Sequence, residues 1–105
     1  MTPELKSRIE TLVQENSILL FMKGNKFFPQ CGFSARAVGI LQELQIPFHT
    51  VDVLQDQDIR QGIKECGNWP TIPQLYVKGE LVGGSDIIME MFQNGELQSL
   101  VATPE

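Results

Sequence analysis

The chain has no cysteine where a dithiol redox protein carries its second one. Cys31 is followed by Gly32, Phe33 and Ser34, so the position three residues on holds a hydroxyl. In a C-x-x-C pair the second thiolate attacks the mixed disulfide made by the first, and quickly, because its effective concentration is high. Ser34 cannot take that step. Cys31 therefore finishes any redox cycle with an outside thiol, or else serves as a metal ligand. The only other cysteine, Cys66, is too distant in sequence for a local zinc pair. Two cysteines are also too few for a secreted disulfide framework, which points to a reducing compartment. Histidine is scarcer still: His49 stands alone in a strand pattern with no companion at ligand spacing, which argues against a metal role for it.

Other absences narrow the function. Apolar runs such as Ile18 to Met22 are only five residues long, against about 20 for a membrane-spanning helix, so no span is expected. The start, Met1-Thr2-Pro3-Glu4, lacks the basic and apolar segments of a secretory signal and is not an Arg- and Ser-rich transit peptide. The expected compartment is the cytoplasm, or an organelle stroma or matrix if a presequence has been removed. Basic residues are few and scattered, 8 against 13 acidic for a net charge of -5, which makes nucleic acid an unsuitable partner. With no linker, low-complexity run or internal repeat, residues 1–105 read as a single domain.

What is present has a clear order. Thr2 is a candidate N-cap with Pro3 at the first helical position, and Leu5, Ile9, Leu12 and Val13 follow at helical spacing. Ile18 to Met22 suits a strand buried on both faces. From Gly32, the residues Ala37, Ile40, Leu41 and Leu44 mark a second helix, closed by Pro47, and Phe48 to Val53 a short strand. Strand, helix and strand in this span make a right-handed parallel unit the default. Asp56 to about Cys66, ending at Gly67, reads as helix three. Gln74 to Val77 and Glu80 to Val82 flank Lys78-Gly79 as a hairpin. A helix opens at Gly83-Gly84-Ser85 and stops at Asn94-Gly95; Leu97, Leu100 and Val101 form a short last helix. The order αβαβαββαα is that of the α/β thioredoxin-like fold: a four-stranded mixed sheet flanked by about five helices, with the reactive group at the amino end of the helix after the first core strand.

Cys31 falls at that position. Unpaired N–H groups and the positive end of a helix dipole favour a thiolate, and Lys23 at the end of the preceding strand adds charge. Gly32 leaves space beside the sulfur. The plainer possibility, a buried inert cysteine, fits poorly with the polar Pro29-Gln30 before it and Gly-x-Ser after it.

Lys23-Gly24, Pro29-Gln30-Cys31-Gly32-Phe33-Ser34, Trp69-Pro70-Thr71-Ile72-Pro73-Gln74 and Gly79-Glu80-Leu81-Val82-Gly83-Gly84-Ser85-Asp86 together resemble the signatures of the single-domain monothiol, CGFS-type glutaredoxins, in register from about Ile18 to Leu97. The resemblance implies a homodimer bridging one labile [2Fe-2S] cluster, ligated by Cys31 of each subunit and the thiol of one glutathione per subunit. It also implies transfer of the cluster to apo iron-sulfur acceptor proteins, a role in iron or redox homeostasis, and pairing with a BolA-like protein. One cysteine per chain supplies a quarter of the four thiolates such a cluster usually takes, and small thiols held non-covalently suit a carrier.

By the same resemblance, Lys23 and Arg60 match positions that bind the glycyl carboxylate of glutathione. Thr71-Ile72-Pro73 matches a cis-proline loop that pairs with the tripeptide backbone. Gly84, Ser85 and Asp86 match the γ-glutamyl site, with helix amides for the carboxylate and the Asp86 side chain for the ammonium. Solvated surface charges at Lys23 and Arg60, and simple helix capping by Ser85 or Asp86, are the plainer alternatives. Phe33 is either core or a wall of the cluster pocket. Trp69 is expected to pack its loop against the sheet, and Met89, Met91 and Phe92 to pack a helix face.

Three departures stand out. Lys26 replaces a frequent proline, which predicts a more mobile or differently shaped loop from Gly24 to Gln30. Ser85 replaces a frequent cysteine and removes one disulfide route. Cys66 stands where an aromatic is commoner, and is expected to be half-buried on the apolar face of its helix, with an oxidative disulfide to Cys31 or another chain as the sharper alternative. Two further functions remain beside the carrier: a glutathione-dependent thiol-disulfide oxidoreductase acting through Cys31, and a regulatory module whose output is its complex with a BolA-like protein.

Overall fold

Strand β1 (Ile18–Met22) is buried along its whole length, and its alternating side chains divide the protein into two cores. Ile18, Leu20 and Met22 face one cluster, Leu19 and Phe21 the other, as the two-residue period of a strand requires. The computed structural model describes residues 1–66 and 71–102; the expectations for Gly67 and Trp69 fall outside them. The first core is covered by α2 (Gly32–Glu43), α4 (Ser85–Asn94) and α5 (Glu96–Ala102), through residues such as Leu41, Ile88 and Leu97. Met89, Met91 and Phe92 pack against it as their helical spacing predicts. The second core is covered by α1 (Pro3–Glu15) and α3 (Gln57–Cys66), through Ile9, Val13, Ile59 and Ile63.

The sheet order is β2-β1-β3-β4, with β2 spanning His49–Asp52, β3 Gln74–Val77 and β4 Glu80–Gly83. β1 runs parallel to β2 and antiparallel to β3, and β3 is antiparallel to β4. This is the thioredoxin-like fold with the expected order αβαβαββαα. Thr2 caps α1 through its Oγ1, which accepts the Leu5 N–H at 3.1 Å. Asp56 does not begin α3, as its place in the pattern suggested, but precedes it as the cap, accepting the Ile59 N–H at 3.1 Å. Asp56 also holds Arg8 of α1 at 2.7 Å, tying the two helices on this face together. In the hairpin turn both Lys78 (φ 53°) and Gly79 (φ 85°) are left-handed, the twist that a two-residue connection needs. No helix among the described residues is long and apolar enough to cross a membrane.

Candidate functional site

The parallel β1–α2 connection delivers Cys31 to the end of the sheet. Leaving β1, the chain turns at Gly24 (φ 86°), where an added Cβ would stand 2.5 Å from the Phe28 carbonyl oxygen and 2.7 Å from the Gln30 nitrogen. Only glycine fits there. The Asn25 Oδ1 accepts the N–H groups of Phe27 at 2.9 Å and Phe28 at 3.0 Å, and the Gln30 N–H reaches back to the Lys23 carbonyl at 2.9 Å. Lys26, at the position that raised doubt about this loop, donates to the Phe48 carbonyl at 3.4 Å and lies 5.1 Å from the Phe48 ring centroid. The loop is thereby tied at both ends, while Phe27 and Phe28 stay exposed at its tip.

Cys31 occupies the N-cap position of α2 with extended backbone (φ -153°, ψ 138°) and no capping hydrogen bond from its side chain. The thiol is half-buried. Its pKa is held below the ordinary cysteine value, first by the backbone N–H of Ser34, and further by the N–H of Phe33, the charge of Lys23 and the Ser34 hydroxyl, against an opposing effect of burial. These are the amides that the first turn of a helix leaves unpaired. Ser34 has a second role that its reading as a missing cysteine did not show. It is wholly buried, and its Oγ accepts the Lys23 N–H at 3.1 Å, fastening the end of β1 to the first turn of α2. A Cβ on Gly32 would meet nothing within 4 Å, so the protein body leaves open space beside the sulfur.

All ten residues expected at the site, Lys23, Cys31, Phe33, Arg60, Thr71, Ile72, Pro73, Gly84, Ser85 and Asp86, line one cavity of about 420 Å³. The Ile72–Pro73 peptide bond is cis. Lys64 and Ile87 also line the wall. Lys64 was not anticipated, although it lies four residues after Arg60, the spacing that places two side chains on one helix face. Across from these cations α4 begins at Gly84, which offers no side-chain cap, and the buried Oγ of Ser85 has no hydrogen-bond partner. The Asp86 side chain is 94% exposed, with Arg36 at 4.0 Å. The cavity thus presents a lowered thiol, three cations, a helix amino end and one unsatisfied hydroxyl.

One open alternative is decided and one expectation is corrected. Phe33 is 57% exposed and lines the cavity, so it is not core; the buried face of α2 starts at Ser34 and continues through Ala37, Val38, Ile40 and Leu41. Cys66 is exposed, not half-buried, because the buried face of α3 ends at Ile63. It lines a different cavity from Cys31. His49 is exposed on β2, and no group of three His, Cys, Asp or Glu side chains able to hold a metal occurs among the described residues.

Residues 18–82 match the family model for glutaredoxin. The chain is 62% identical over 101 residues to an uncharacterized monothiol glutaredoxin ycf64-like protein of Synechocystis sp., covering 96% of this chain and 94% of the relative. It is 52% identical over 101 residues to the chloroplastic monothiol glutaredoxin-S14 of Arabidopsis thaliana, covering 96% of this chain and 58% of that protein. The solution structure of reduced poplar apo GrxS14 superposes with a TM-score of 0.83 at 50% identity, covering 95% of this chain and 92% of that one. With Cys31 as the single thiol of its C-G-F-S motif, this chain belongs to the glutaredoxin family, among the monothiol members.

Proposed function

We propose that the cavity binds glutathione, and that two chains, each contributing Cys31 and one glutathione thiol, carry a labile [2Fe-2S] cluster between them for delivery to apo iron-sulfur acceptor proteins. The observation that carries this reading is the pairing of a thiol held below its ordinary pKa with a cavity built for a doubly carboxylated ligand. Lys23, Arg60 and Lys64 supply positive charge on one wall for the glycyl carboxylate. Thr71, Ile72 and Pro73 offer backbone to the peptide. The free amides at the start of α4 and the orphaned Ser85 hydroxyl suit the γ-glutamyl carboxylate, and the exposed Asp86 suits its ammonium. Phe33 forms the outer wall, and the space at Gly32 admits a bulky group on the sulfur.

The donor set fits a shared cluster and not one held by a single chain. Cys31 is the one cysteine at this cavity, so further thiolates come from glutathione and a second copy. The cargo would supply exchangeable iron and sulfide. The protein's own part is to hold Cys31 as a thiolate, to orient the small thiol beside it, and to deny Cys31 an intramolecular disulfide, since Ser34 carries a hydroxyl in place of a thiol. A regulatory complex with a BolA-like protein would use the same loaded form, in the cytoplasm or an organelle stroma.

The low thiol pKa also favours a second activity. The Cys31 thiolate attacks the glutathione sulfur of a mixed disulfide, the protein thiol leaves, and a second glutathione resolves the adduct, releasing glutathione disulfide. Anaerobic reconstitution with iron, sulfide and glutathione tests the main reading. A coloured dimer by visible absorption and native mass, absent in Cys31→Ser and absent without glutathione, is the expected result. A colourless monomer under every condition would refute the carrier, leaving the exchange activity; colour that persists with no small thiol would refute the glutathione ligand.

A further inference from the structure

The second cysteine has a cavity of its own. About 410 Å³ in volume, this cavity lies between α1, the end of α3 and the β3–β4 hairpin, with walls that include Ile9, Val13, Leu81 and Glu10 beside Cys66 and Tyr76. Tyr76 is only 6% exposed, its ring meeting Phe21 edge-on at 5.8 Å between centroids. Its hydroxyl has no hydrogen-bond partner among the described residues. The Tyr76 phenol is pushed above its ordinary pKa, first by burial and then by the charge of a Cys66 thiolate, so the two groups lie within electrostatic reach of each other. No lysine or arginine occurs among the described residues of this wall, in contrast with the three that line the Cys31 cavity.

We propose that Cys66 is a second modification site, independent of Cys31, which forms mixed disulfides with neutral or cationic, partly apolar low-molecular-weight disulfides and discriminates against anionic ones. The Cys66 thiolate attacks one sulfur of the reagent; the reagent's S–S bond breaks as the new S–S bond to Cys66 forms. The departing thiolate keeps the electron pair and takes a proton from water, so the disulfide is the only oxidant needed. Ile9, Val13 and Leu81 receive the apolar part of the adduct, the Tyr76 hydroxyl at the cavity wall supplies a donor that is otherwise unused, and the Glu10 carboxylate selects the charge.

The test uses Cys31→Ser protein and three disulfides, cystamine (cationic), hydroxyethyl disulfide (neutral) and glutathione disulfide (anionic), whose intrinsic reactivities differ with the leaving thiol and are calibrated on the unfolded chain. Adduct formation at Cys66 is followed by mass spectrometry in the native state and in urea. The expected native order is cystamine, then hydroxyethyl disulfide, then glutathione disulfide, with about tenfold between first and last, as partly screened unit charges give. Unfolding or Glu10→Gln should narrow the spread, and Tyr76→Phe should slow all three. Equal native rates, an unchanged spread on unfolding, rates unaffected by both substitutions, or a covalent Cys66 dimer in place of the small adduct would each overturn the proposal.

Discussion

Four of the five helices among the described residues start in two different ways. α1 and α3 begin with side-chain caps, Thr2 on the Leu5 amide and Asp56 on the Ile59 amide, each at 3.1 Å. α2 and α4 begin at Cys31 and Gly84 with no side-chain cap, and both of these residues line the same cavity. A cap contributes about 1 kcal/mol, so two of the four helix starts forgo that stabilisation. They are the two that open onto the candidate site. At α2 the free N–H groups stabilise the Cys31 thiolate, and at α4 they stand beside a buried hydroxyl with nothing to bond. The contrast separates helix ends that hold the fold together from helix ends that the proposed function uses for anions.

The most forceful way to break this contrast is to cap α4. Gly84→Asp places a carboxylate where the account puts that of the proposed ligand; φ at this position is -96°, which any residue can adopt. Glutathione affinity by calorimetric titration is expected to fall by at least about tenfold, while the melting temperature holds or rises slightly. Affinity and stability moving down together would count against the account. Thr2→Ala acts the other way round. It should cost about 1 kcal/mol in urea unfolding and leave glutathione binding unchanged.

The pH dependence sharpens the same comparison with the smallest effects. Asp56 and Cys31 both have pKa values lowered in the fold, Asp56 chiefly by its hydrogen bond from Arg8, Cys31 chiefly by the Ser34 amide. In each case the unfolded chain binds the proton more tightly, so stability rises with pH between the folded and unfolded values. The Asp56 contribution is complete above about 3.9 and is lost as the pH falls through its lowered value; the Cys31 contribution is complete only above about 8.5 and is lost as the pH falls toward neutrality and through its own. Unfolding curves across pH should therefore show a shallower acid-side slope in Arg8→Ala and a shallower alkaline-side slope in Cys31→Ser, each without affecting the other.

Much of this was legible in the chain because it is written locally. The Thr2-Pro3 start, the five-residue apolar strand and the Lys78-Gly79 turn are each set by neighbours in sequence. The placement of Cys31 at a helix start followed from the apolar period after Gly32. The cavity was another matter. Arg60 has nothing in its own helix to mark it as a cavity residue, and it was found only through the resemblance carried by motifs elsewhere; Lys64 beside it was missed. Ser34 was read for what it cannot do, and its buried bond to Lys23 depends on a strand end that meets it only in the fold. Phe33 could not be decided, and Cys66 was misjudged, for one reason: hydrophobicity indicates a wish to be buried, while the reach of a helix's covered face is set by the elements packed on it.

The central claim is that the open helix ends, and not the capped ones, receive ligand. Backbone amide NMR shifts during a titration with reduced glutathione test this most directly, because each helix start reports separately. The account predicts that the amides of Ser85 and Asp86 at α4 move strongly, with Ile72 and the first turn of α2 following, while Leu5 and Ile59 beneath their caps stay in place. Unmoved Ser85 and Asp86 amides, or shifts at Leu5 and Ile59 of equal size, would contradict it.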